Sequence, residues 1–249
     1  MFFSVKEYKS WHEALSQCTG YDSPIILEKI YQAALKVKKS EAAYERDSVL
    51  FENIQYSWPV LSALMCIAAL NNGQLNIIDF GGSLGTSYFQ NRKFLNILKK
   101  FRWNIIEQAH FVKLGKREFE NENLKFYFDF DTCMQENDVH AIFFSGVLQY
   151  LENPFAILEK VKSSSIKFII IDRTSFHTAD HDKIVLQKAP RSVFKASYPS
   201  WIFSQNKFEL FFKNDVILES FESFKEKLTN YTMFKGYIIQ LNHGEIHVL

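Results

Sequence analysis

Asp79-Phe80-Gly81-Gly82-Ser83-Leu84-Gly85 is the stretch on which the fold turns. It continues Leu75-Asn76-Ile77-Ile78, a short apolar run of the kind that forms a buried strand. The glycines close that strand in a tight turn, and a helix-compatible segment follows. Such a turn lets a ligand approach the backbone closely, and the helix N-terminus offers free N–H groups to a carboxylate or phosphate. Alone, the motif also fits a plain strand-to-helix turn with no ligand.

Working outward, four more apolar runs follow, at 103–106, 124–128, 141–144 and 167–171. Helix-compatible stretches lie between most of them, at 88–100, 111–120 and 154–161, and the gap between the third and fourth strands is shorter. Alternating strands and helices predict a doubly wound α/β fold with a mostly parallel sheet. Near the end, Ser204 caps a helix over 205–212, and 215–221 and 236–242 read as an antiparallel edge hairpin. Together these make a seven-stranded sheet.

Residues 1–57 read as helical. Ser23-Pro24 offers an N-cap, and Ile26, Ile30, Ala33, Ala34 and Val37 recur at helix spacing. Pro59 opens a further helix that stops at Asn71-Asn72-Gly73. The expected division is an N-terminal helical cap over 1–72 and an α/β domain over 73–249, with an acceptor-site insertion at about 175–203.

Composition narrows the function. Lys and Arg total 29 against 28 Asp and Glu, a net charge of +1. A protein held by nucleic-acid phosphates carries a basic excess, so no nucleic-acid partner is expected. The 25 Phe and 47% hydrophobic content exclude a disordered chain. Cys18, Cys66 and Cys133 are scattered, which argues against a disulfide framework or a zinc site. The first residues lack a signal-peptide pattern, and the most apolar run, 58–70, is shorter than the ~20 residues that span a bilayer. A cytoplasmic location without a membrane span is the expectation.

Polar residues collect after the strands. Glu107 follows the second, where a carboxylate accepts hydrogen bonds from ribose hydroxyls. Ser145-Gly146-Val147-Leu148-Gln149-Tyr150-Leu151-Glu152-Asn153-Pro154 follows the fourth, and Asp172-Arg173-Thr174 closes the fifth. In an open sheet, ligands bind beyond these strand ends.

With these residues in place, the chain resembles class I S-adenosylmethionine-dependent methyltransferases. The resemblance rests on Asp-x-Gly-x-x-x-Gly at 79–85, the acidic residue after strand two, and Val147-Leu148-Gln149-Tyr150-Leu151-Glu152-Asn153-Pro154. More narrowly, it is similar to a bacterial methyltransferase family associated with surface-polysaccharide gene clusters. That similarity is carried also by Tyr44-Glu45-Arg46-Asp47-Ser48-Val49-Leu50-Phe51, Trp103-Asn104-Ile105-Ile106-Glu107-Gln108 and Ala196-Ser197-Tyr198-Pro199-Ser200-Trp201. One departure is Ser83, where the commoner loop has Gly and where a Cβ restricts positive φ.

The resemblance implies a Rossmann-like methyltransferase fold and S-adenosylmethionine as cofactor, with S-adenosylhomocysteine as its product. It implies cofactor contacts at Asp79, Gly81, Gly82, Ser83, Glu107, Gln108, Asp129, Phe130, Ser145 and Gly146, with Asp131 an alternative to Asp129. Methylation of an oxygen needs a base, and the candidates are His177, Asp172 and Tyr198, His177 first because imidazole titrates near pH 6.5. Arg46, Tyr150, Arg173 and Trp201 are the candidate acceptor contacts. The acceptor implied is a small molecule, a sugar, sugar nucleotide or glycan precursor. His177, Asp180, His181 and Asp182 are conceivable metal ligands in chemistry, but their spacing fits no specific motif and no metal is expected.

Two other readings compete. A non-catalytic member of the fold would bind the same cofactor without turnover. A nicotinamide-dependent oxidoreductase needs G-x-G-x-x-G, and Phe80 stands where its first glycine belongs. The phenylalanines divide accordingly: Phe126, Phe143, Phe144 and Phe168 are expected core, while Phe80, Phe128, Phe130 and Phe176 are expected near ligand.

Overall fold

The computed structural model describes residues 2–19, 24–188, 196–223 and 232–243. The chain forms two compact units, Pro24–Ser145, and Met1–Ser23 together with Gly146–Leu249. These boundaries fall at 23/24 and 145/146. The chain opens with β1 (Phe2–Tyr8) and α1 (Trp11–Leu15), which belong to the second of these units.

The unit Pro24–Ser145 holds α2 (Pro24–Lys38), the short hairpin of β2 (Tyr44–Arg46) and β3 (Val49–Phe51), and α3 (Trp58–Leu70). Then β4 (Gln74–Phe80), α4 (Thr86–Leu95), β5 (Lys100–Ile106), α5 (Ala109–Glu118), β6 (Leu124–Tyr127), α6 (Phe130–Glu136) and β7 (Ala141–Ser145) alternate as expected. The four long strands pair in parallel in the order β7-β4-β5-β6. Consecutive strands joined by helices are forced into parallel register, and both sheet faces are then covered. Trp103, Phe126 and Phe144 are fully buried, and Phe143 nearly so. Burying each such ring contributes about 2 kcal/mol. Helix α3 starts with Pro59 in its first turn and ends where Asn72 and Gly73 turn left-handed.

The other unit continues with a 3₁₀ turn at Leu148–Tyr150, α7 (Pro154–Lys162) and β8 (Phe168–His177). It ends with β9 (Lys183–Lys188), β10 (Ser197–Ser204), α8 (Gln205–Phe211), β11 (Val216–Glu222) and β12 (Thr232–Gln240). Strand β12 lies antiparallel to both β8 and β11, as the hairpin reading requires. On another line of pairing, β10 runs parallel to the end of β8, β9 antiparallel to β10, and β1 antiparallel to β9.

Three sequence expectations change here. Residues 1–57 are not helical throughout, because Phe2–Tyr8, Tyr44–Arg46 and Val49–Phe51 are strands. The cap of Ser23 lies outside the described residues. The segment 175–203 is mostly sheet, with 189–195 outside the described residues. Strand β8 does not close at Asp172 but runs on to His177. The phenylalanine division also shifts, since Phe176 is fully buried against Phe203, Phe208 and Tyr237 and is core. No helix among the described residues is long and apolar enough to cross a membrane.

Candidate functional site

The Gly-rich turn is built around a buried carboxylate. Asp79 ends β4 almost wholly buried and accepts a hydrogen bond from Trp103 Nε1 at 2.9 Å. A Cβ on Gly82 would come within 2.6 Å of the Asp79 carboxyl carbon, so only glycine fits there. Gly81 (φ 73°) and Gly85 (φ 100°) are left-handed, and so is Ser83 (φ 55°), the departure noted above. A left-handed non-glycine residue costs about 1–2 kcal/mol. Gly81 donates its N–H to Ile106 O at 2.9 Å, which holds the turn against the end of β5.

Glu107 follows β5 directly. Its Oε1 accepts from the Ser83 N–H at 3.3 Å and its Oε2 from the Gln108 N–H at 2.7 Å. Burial raises its pKa above the ordinary carboxyl value, and those two amide bonds pull it back down. Each oxygen keeps a further lone pair for a hydroxyl. Asp79, Gly81, Gly82, Ser83, Glu107 and Gln108 are thus brought together in one unit.

The end of β6 behaves differently. Asp129 caps α6, its two oxygens accepting from the Thr132 N–H and Oγ1 at 2.8 and 2.9 Å. Phe130 is buried. The ring left outward is Phe128, 51% exposed, with Lys116 Nζ 5.2 Å from its centroid. Asp129 and Phe130 therefore serve the helix and the core, and Phe128 is the aromatic surface available there.

The β2–β3 hairpin touches the same turn. Asp47 and Ser48 are both left-handed, as a two-residue hairpin loop requires. Glu45 is buried and accepts from Ser48 N–H and from the Thr86 hydroxyl, at the first residue of α4. Arg46, the expected acceptor contact, lies 5.3 Å from the Phe51 ring. Sequence reading quoted Glu45 and Trp103 within larger blocks and gave neither a role.

In the other unit, Asp172 and Arg173 form a β-bulge. Two residues of β8 oppose the single residue Gly236 between the pairs Ile171↔Tyr237 and Thr174↔Lys235. Arg173 is left-handed (φ 53°), and its N–H is held by Ser223 Oγ at 2.9 Å. A Cβ on Gly236 would lie 2.6 Å from the Ile171 carbonyl oxygen. Gly146, also left-handed, donates to Asp172 O at 2.9 Å, and Gln149 donates to Arg173 O at 3.1 Å. Ser145, the last residue of β7 and of the Pro24–Ser145 unit, is half-buried.

Tyr150 and Tyr198 meet edge to face at 5.1 Å, and the Tyr150 hydroxyl donates to Gln187 at 2.9 Å. Trp201 donates from Nε1 to Leu151 O at 3.0 Å and stacks on Trp11 at 5.9 Å. His177 is buried, and burial lowers its pKa, so the ring is neutral at pH 7. Its Nδ1 accepts from the Ala179 N–H at 3.2 Å, which leaves the ring proton on Nε2. The first-choice base thus has one ring nitrogen engaged by a backbone N–H, and its Nε2 is buried. Asp182 is turned to Ser204 N–H and Lys207, and His177 and His181 centroids are 6.2 Å apart. Among the described residues, no three His, Cys, Asp or Glu side chains are placed to hold a metal.

No protein-family profile matches the chain, and no curated protein sequence does either. Solved structures do. The N-terminal domain of EvdMO1 in the presence of SAH and D-fucose is similar at 12% identity and a TM-score of 0.53, over 85% of this chain and 96% of that one. The same domain with SAH bound gives 11% and 0.52 over the same shares. A further structure of EvdMO1 gives 12% and 0.50 over 90% of this chain and 50% of that one. The fold is a mixed α/β, Rossmann-like methyltransferase fold with a largely parallel sheet and an antiparallel hairpin.

Proposed function

We propose that the protein is an S-adenosylmethionine-dependent methyltransferase acting on an oxygen of a sugar or similar small group destined for a surface polysaccharide. The observation that carries this is the Glu107 carboxylate, fixed by two backbone N–H groups, one of them from the Gly-rich turn itself. Its remaining lone pairs suit the two hydroxyls of a ribose. The turn over Asp79, with Gly81, Gly82 and Ser83, supports the amino-acid end, and Phe128 offers a ring to an adenine. EvdMO1, which shares the fold, was solved with SAH and in the presence of D-fucose, and this supports both the cofactor and the acceptor class.

When bound, the sulfonium supplies an activated methyl group. The chain's own work is to hold an acceptor oxygen in line and to take its proton. His177, Asp172 on the β8 bulge and Tyr198 are the candidate bases. Arg173, Arg46, Tyr150 and Trp201 are the acceptor contacts in this reading. A second reading is a protein that binds the cofactor without turnover.

Calorimetry with S-adenosylhomocysteine tests the first step. Micromolar binding by the wild type, lost in Glu107→Ala, is expected. Absent binding, or equal binding by the variant, overturns the proposal. Binding without methylated product on a panel of sugars and sugar nucleotides selects the second reading.

A further inference from the structure

One cavity lies in the unit that carries α7 and β10. It measures about 340 Å³ and is lined by Glu152, Asn153, Phe155, Asp182 and Trp201, with the first turn of α7 at its rim. This falls at the lower end of the range for small-molecule sites, about 300–1,000 Å³. Its walls are chemically uneven. Phe155 packs on Phe203, Phe208 and Phe211 on one side, and Trp201 is fixed by its Nε1 bond to Leu151 O. These rings are rigid apolar surface. Glu152 and Asn153 are exposed, and Asn153 makes no side-chain cap bond to α7. Asp182 is held by Ser204 N–H at 2.8 Å and by Lys207 Nζ at 2.8 Å.

We propose that this cavity is a binding site for a hexose ring that bears no phosphate. A pyranose has an apolar C–H face and a rim of hydroxyls, which match rigid aromatic walls edged by two carboxylates and an amide. No Lys or Arg lines the cavity, and the cation beside it, Lys207, is already bound to Asp182. With Asp182 paired to Lys207, Glu152 leaves the rim net negative, which disfavours an anionic ligand, so a sugar phosphate binds more weakly. As an acceptor site it rests on the methyltransferase reading, whereas as a saccharide site it stands alone.

Saturation-transfer NMR and tryptophan fluorescence on the full chain test it, with D-glucose, D-glucosamine and glucose 1-phosphate as probes. Saturable millimolar binding of both unphosphorylated sugars is expected, with glucose 1-phosphate at least ~5-fold weaker, since even a partly screened like-charge contact costs about 1 kcal/mol. Glu152→Gln and Asn153→Ala, both exposed and so compatible with folding, should each weaken binding ~3–10-fold, and Phe155→Ala more. Three results would overturn the proposal: no saturable binding of glucose or glucosamine, tighter binding of the phosphate, or affinities unchanged in both exposed variants. Calorimetry with S-adenosylhomocysteine on the same samples separates the two readings. Cofactor binding without sugar binding removes only the saccharide site, and the reverse removes only the methyltransferase assignment.

Discussion

The Gly-rich turn after β4 and the bulge in β8 each hold one non-glycine residue left-handed, Ser83 at φ 55° and Arg173 at φ 53°. The resemblance ends there. Ser83 sits between glycines in a local turn, and its N–H meets Glu107. Arg173 sits within a strand, where β12 supplies one residue, Gly236, against two. The first strain is imposed by neighbours in sequence and the second by register with a distant strand. Strain of the second kind depends on sheet closure, so removing its partner should damage the fold, whereas altering the turn should mainly alter ligand binding.

The largest expected effect breaks the bulge. Gly236→Ala places a methyl against the Ile171 carbonyl and the Phe221 ring, and a loss of about 3 kcal/mol or more is expected in denaturant unfolding. A loss below about 1 kcal/mol would show that the bulge is not pinned in this way. Next comes Glu107→Gln. Losing hydrogen bonds to a charged acceptor should weaken S-adenosylhomocysteine by about 10–100-fold. The same variant should be the more stable ligand-free protein, because the raised carboxyl pKa makes the ionised form a cost to folding. A raised acid contributes fully below its unfolded value and loses that contribution as pH rises through the folded one. The stability gap between variant and wild type should therefore close as pH falls from 7 toward the ordinary carboxyl range, and melting curves across pH check it.

Ser83→Gly and Arg173→Gly sharpen the comparison directly. Each relieves left-handed strain, offset by the added freedom of glycine in the unfolded chain, for a net gain of up to about 1 kcal/mol. Ser83→Gly should keep or improve cofactor affinity. Arg173→Gly should leave that affinity unchanged and lower methyl transfer, and a reversed pattern would exchange the roles assigned to the two residues. The smallest effect concerns His177. Its lowered pKa means that the unfolded chain takes up a proton more readily, so stability declines as pH falls from the ordinary value near 6.5 toward the folded one. His177→Asn should shed part of that decline, by less than about 1 kcal/mol. His140, lowered by burial as well, should retain the rest.

Legibility followed the same division. Strands β4, β5, β6 and β7 with the helices between them were readable because each is a local apolar run bounded by turn signals. The Gly-rich turn and Glu107 were readable as strand-end features, because each closes or follows an apolar run. That Asp129 caps α6 was not legible, because a helix-cap aspartate and a ligand aspartate look alike in sequence. Phe128 and Phe130 are two positions apart, and only packing decides that the first faces solvent and the second the core.

By itself the sequence determined the alternation of strands and helices, the Gly-rich turn and the carboxylate after β5, since all of these are set by residues within one or two elements. Tertiary structure alone decided that β1 pairs with β9 and that β8 runs through a bulge to His177. Those outcomes depend on partners far along the chain, whose register, burial and hydrogen bonds no local pattern records.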